Sequence, residues 1–210
     1  MDWQAMVFLG AYHGINPGMG WLFAVALGLQ QGSARGVWRA LPPIAAGHAV
    51  SVGVVLVTVG LAQVVVPPDA LTVLVAALLI AMGLYRLRRH RHPRFGGMQV
   101  GFRDLTAWSF LMASAHGAGL MVLPFVMPRV ASLSAAGHGH AHHIAPVTNV
   151  VTVGATAIVI HAIAYLVVMT LAAWVVYRKL GLHVLRTAWF DMDRVWAAAL
   201  VVTGLFVLLH

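Results

Sequence analysis

"YHGINPGMGW", residues 12–21, sets a histidine, an asparagine, a proline and three glycines inside a stretch that is otherwise apolar enough to lie in lipid. Proline at 17 removes one backbone donor and clashes with the carbonyl four residues earlier, that of His13, so a helix must break at the depth of the imidazole. Irregular backbone at that depth is tolerated only when it is buried in protein or lines a wet cavity. The stretch therefore predicts a broken membrane helix lining a site. Gly14, Gly18 and Gly20 allow a helix or ligand close approach, and Asn16 beside Pro17 adds a side-chain carbonyl and amide.

The surrounding chain agrees with a membrane setting. Of its 210 residues 61% are hydrophobic and only 9% are charged, against about 25% charged in an average soluble domain. Apolar runs near residues 4–30, 43–66, 70–87, 105–128, 148–177 and 195–209 each suit a span of roughly 20 residues, the last being shorter. The expectation is an all-α integral membrane protein with six transmembrane helices. No basic segment precedes the first run and no strong cleavage site follows it, so that run reads as a retained helix.

The net charge of +8 reports topology and not nucleic-acid binding. Arg35 and Arg39 follow the first span; Arg86, Arg88, Arg89, Arg91, Arg94 and Arg103 follow the third; Arg178, Lys179, Arg186 and Arg194 follow the fifth. Arg129 alone lies on the other side. This positive-inside bias places both termini outside, in a multi-pass protein of a bacterial-type inner (plasma) membrane with lipid as its surroundings. The absence of cysteine removes thiolate ligands and leaves His, Met, Asn, Asp and backbone oxygens.

The two halves echo each other. "LGAYHGINPGMGWLF" in the first span resembles "MASAHGAGLMVLPFV" in the fourth, pairing His13 with His116 and Gly14 with Gly117. "AAGHAVSVGVV" and "IVIHAIAYLVV" pair His48 with His161, and "LIAMGLYRL" (79–87) runs beside "LVVTGLFVL" (200–208). Two copies of an odd number of spans must lie in opposite orientations, the plan of many secondary transporters with a midplane site. The expected organisation is a three-helix repeat over 1–88, a basic cytoplasmic linker over 89–103, and a second repeat over 104–210 carrying a His-rich external loop at 131–147.

Intramembrane ionisable groups are costly and usually functional. Neutral imidazole ligates Ni, Co, Zn and Cu and can also carry protons near neutral pH. His13, His48, His116 and His161 are thus candidate midplane metal ligands, with Gly14, Asn16, Pro17, Gly117 and Met121 along the path. The loop "SAAGHGHAHHIAP" adds His138, His140, His142 and His143, a compositional metal-binding signal. The aspartates lie at span ends or in loops, where placement at a helix N-terminus accounts for Asp69, Asp104 and Asp193. No Walker A loop, paired intramembrane carboxylates or Ser/His/Asp arrangement is present, so nucleotide use and hydrolysis have no support.

"HGINPGMG", the Gly-rich basic loop "GLQQGSARGVWRA", "GHAVSV" opening the second span and "IAMGLYRL" closing the third resemble the lysine exporter superfamily, most closely its nickel/cobalt efflux family. The resemblance implies a compact six-span transporter, often a homodimer, that moves small solutes or divalent cations on the proton gradient. It would put His13, Asn16 and His48 in the path. The acidic residues that accompany histidine in typical motifs of that family are missing here, and the His-rich loop joins the fourth and fifth spans.

The leading expectation is a transition-metal transporter, not an enzyme, that exports metal in exchange for protons and weakens below about pH 6 as imidazoles protonate. Two alternatives stand beside it. One is a proton-coupled exporter of a small organic solute; the other is a membrane redox protein or enzyme whose histidines hold haem or a metal.

Overall fold

The computed structural model describes residues 3–63, 65–88, 101–126, 144–180 and 185–209, with side chains at 68, 144–151, 180 and 185–193 left aside. Every regular element among them is helical: α1 (Trp3–Ile15), a 3₁₀ turn (Pro17–Met19), α2 (Trp21–Gln30), α3 (Ala34–Ala62), α4 (Pro68–Arg88), α5 (Phe102–Ala115), α6 (Ala118–Val126), α7 (Ile144–Val175, ending in a π turn at Val176–Leu180) and α8 (Leu185–Leu209).

Three of these helices are long and apolar enough to cross a membrane, Ala34–Ala62, Asp69–Arg88 and Thr152–Lys179. The pair α5 and α6, bent by 57° at its break, makes a fourth if taken as one span. This is an all-helical protein of membrane type. A count by helix length over the described residues falls below six for two reasons: the break at Asn16–Gly20 divides the first apolar run into α1 and α2, each too short to cross alone, and the apolar part of α8, Arg194–Leu209, is also short.

Helix ends also depart from the apolar runs. α3 starts at Ala34 and α8 at Leu185, well before the runs expected near 43 and 195. Hydropathy marks the part of a helix suited to lipid, whereas Arg, Lys and Trp extend a helix beyond it at little propensity cost. As a result Asp193 lies in the interior of α8 and not in its first turn. Asp69 does fall in the first turn of α4, and the Asp104 carboxylate accepts from Gly101 N at 3.0 Å at the start of α5.

α7 shows how the core is chosen. Ala157, His161, Tyr165, Met169 and Ala173 are buried at four-residue steps, while Val159, Ile163, Val167, Leu171 and Val175 are exposed at the same steps. Both faces are apolar. What distinguishes the inner one is small, polar or polarisable side chains, as expected where lipid tails are as apolar as leucine and packing decides association.

Helix pairing follows a two-fold pattern. α1 packs chiefly on α7, α3 on α5 and α4 on α8. Exchanging residues 1–88 with 104–210 converts the first pair into the second and returns the third to itself. The glycines obey the same exchange: a Cβ on Gly83 would lie 2.8 Å from Ala197 O and 3.1 Å from Val201 N, and one on Gly204 would lie 2.9 Å from Ala76 O and 3.1 Å from Ile80 N. Ala197 and Val201 precede Gly204 by the same steps as Ala76 and Ile80 precede Gly83.

Candidate functional site

The first break satisfies its own backbone. Asn16 Oδ1 accepts from Gly18 N at 2.9 Å, and Pro17 opens the 3₁₀ turn where its missing N–H costs nothing. The His13 carbonyl that Pro17 was expected to free is taken by Asn16 N at 3.2 Å. The indole of Trp21 donates to Ile15 O at 2.9 Å, and the Tyr165 hydroxyl donates to Met19 O at 2.6 Å from α7. Gly20 ends the turn at φ 127°, where an L side chain would be strained and a Cβ would run into Ile44.

The second break is built alike. His116 closes α5, and Gly117 turns the chain at φ 68° with its N–H on Ser114 O at 3.0 Å. Its remaining carbonyls are met from other helices: Arg86 Nε donates to Ala115 O at 3.0 Å and Trp196 Nε1 to His116 O at 2.7 Å. The two breaks abut, since a Cβ on Gly18 would lie 3.5 Å from His116 Nε2.

Three histidines from three helices meet beside the first break. His13 on α1, His48 on α3 and His161 on α7 are all buried. The His13 ring centroid lies 5.5 Å from that of His48 and 4.9 Å from that of His161, edge-on to both. His48 and His161 stack nearly parallel with Nε2 to Nε2 at 3.3 Å, so one of the two carries the hydrogen between them. Tyr165, one turn after His161, stacks on His48 at 4.1 Å and backs the cluster.

The tautomer of His13 follows from its partners. Nδ1 lies 2.7 Å from Leu9 O, and a carbonyl can only accept, so Nδ1 bears the hydrogen and Nε2 presents a lone pair. That Nε2 is buried and has no hydrogen-bond partner among the described residues; nor have Asn16 Nδ2, His48 Nδ1 and His161 Nδ1. Each orphaned group costs on the order of 1–3 kcal/mol, and such groups in a folded protein mark strain or a ligand.

His116 has the same local design and different company. Its Nδ1 donates to Met112 O at 2.7 Å, while Nε2 faces Arg86 Nη1 at 3.3 Å. The Trp196 indole stands between the two halves of the site, 4.4 Å from the His13 ring and 5.9 Å from that of His116. The structure thus joins His13, His48 and His161 and places His116 against an arginine.

The remaining path residues separate by role. Gly14 is a packing position, since a Cβ there would lie 2.6 Å from Tyr165 O on α7. Gly117 serves the turn and is closed in by Met82 and Leu200. Asn16, Pro17 and Met121 are buried at the breaks. His138, His140, His142 and His143 fall outside the described residues. Arg86, Tyr165 and Trp196 were missed by sequence reasoning. Arg86 was counted among loop cations, and the only available signal for Tyr165 was its spacing, one helical turn from His161.

Chemically, two imidazole nitrogens bound to one tetrahedral metal at about 2.0–2.1 Å would stand roughly 3.3–3.4 Å apart. The Nε2 pair of His48 and His161 has that separation, and ligation by both would require the hydrogen they share to move to the Nδ1 of the ring that carries it. The His13 ring meets them edge-on, and among the described residues no three His, Asp or Glu side chains form a metal-ligand group as they stand. Compared with family models, curated proteins and solved structures, the chain matches none.

Proposed function

We propose that the protein is a proton-coupled transition-metal transporter, working in the direction of efflux, with His13, His48 and His161 as its midplane cargo site. The observation that carries this is the unpaired lone pair of His13 Nε2, fixed in tautomer and buried beside two imidazole nitrogens 3.3 Å apart. An uncharged three-imidazole site suits a borderline dication such as Zn, Co or Ni, and it can return protons when the metal leaves. Six spans in two inverted repeats, both termini outside and a place in the lysine exporter superfamily belong to the same proposal. The two-fold exchange of helix pairs and the bias of basic residues to one side support the repeat and the orientation.

The test is elemental analysis and Zn²⁺ titration of purified protein, followed by Zn²⁺ flux in proteoliposomes. Bound metal is expected to survive deletion of residues 138–143 and to be lost in His48→Ala/His161→Ala. Metal that disappears with the loop alone would remove the midplane site and leave the histidines as proton carriers for another solute.

A further inference from the structure

The exchange that relates the halves maps His48 onto His161 and His13 onto His116. The His48–His161 pair therefore joins the two halves, and each break carries one of two equivalent histidines. His13 is at the pair. His116 instead gives its Nε2 lone pair to the Arg86 guanidinium.

Arg86 has no counterpart in the second half. Aligning 79–87 with 200–208 puts Val207 at the matching position. Its guanidinium spans the second break, with Nε on Ala115 O and Nη1 on His116 Nε2. Guanidinium stays charged at any physiological pH. It thus both occupies the nitrogen a metal would use and repels a metal cation from it. Gly83, one turn before Arg86, keeps α4 against the α8 backbone and so sets how far the side chain reaches.

We propose that Arg86 is a positioning residue that holds His116 away from the His48–His161 pair, and that His13 and His116 alternate as third ligand to the cargo cation in the two end states of transport. This rests on the cargo site described above. It accounts for two breaks of like construction around one imidazole pair, which a static three-histidine site would not need. It also makes the structure the end state in which the first half holds the cargo.

The experiment is Zn²⁺ titration of the full chain in nanodiscs. His13→Ala is expected to weaken binding by at least about tenfold, the lower end of what even supporting residues of metal sites cost. Adding Arg86→Gln should restore most of the loss by releasing His116, and adding His116→Ala to that variant should abolish the recovery. No recovery with either Arg86→Gln or the apolar Arg86→Met overturns the proposal, as does recovery that survives His116→Ala. If the unaltered protein binds no Zn²⁺, the cargo reading fails instead, and the Arg86 restraint is read without metal. The chain lacks cysteine, so spin labels at Leu111→Cys and Val167→Cys, exposed positions on α5 and α7, report one distance. Arg86→Gln is expected to add a second distance population; an unchanged distribution overturns the restraint.

Discussion

His13 and His116 show how little of a side chain's role is local. Each ends a helical turn, ties Nδ1 to the carbonyl one turn back and precedes a break. One then faces two imidazoles and the other a guanidinium, so the same neutral tautomer serves as a vacant donor atom in one place and as an arginine acceptor in the other. Tyr165 is the residue whose removal best tests the first break. Tyr165→Phe keeps the ring stacked on His48 but strips Met19 O of the hydroxyl that donates to it from α7. Thermal melting in detergent should show a loss of about 1–3 kcal/mol, the cost of a buried unsatisfied carbonyl. An unchanged melting temperature would mean that the Met19 carbonyl finds another donor.

At the scale of the helices, glycine decides which faces meet. Gly10 and Gly14 bring α1 onto the α7 backbone, Gly47 brings α3 onto α5, and Gly83 and Gly204 bring α4 and α8 together. Gly14→Val must push α7 away or distort it, and a loss of at least about 1–3 kcal/mol is expected from overpacking. Gly53 on α3 has open space around it. Gly53→Ala should instead be neutral or gain up to about 1 kcal/mol of helix propensity. Comparing the two melting temperatures checks both; equal effects would argue against close helix contact as the role of Gly14. Long apolar helices were legible from apolar run length, and their inner faces were partly legible from where histidine and glycine fall. The Arg86 contact was not, because a cation at the end of an apolar run looks the same whether it faces the cytoplasm or turns back onto a helix end.

For the whole molecule, the exchange of α1–α7 with α5–α3 makes orientation a sharp question. In the proposed arrangement, inverted halves with the basic residues of both on one side, the two termini would share the opposite side. Alkaline phosphatase fused after His210 should be active in cells, and a fluorescent protein fused there should be dark. The reverse result would invert the topology and turn the His-rich segment to the cytoplasm.

The sequence by itself determined the membrane class, because 61% apolar residues in long runs leave no soluble alternative. It also marked the first break, where Pro17 stands among Gly14, Gly18 and Gly20; proline alone does not suffice, since Pro42 and Pro43 lie inside α3 without dividing it. These are local or compositional properties, written in neighbouring residues. Only the tertiary structure decided that His13, His48 and His161 converge while His116 is held by Arg86. In helices apolar on all sides, side-chain pattern barely distinguishes inward from outward. Rotation and partner choice are set by packing between segments far apart in the chain, and that information exists only once the helices are together.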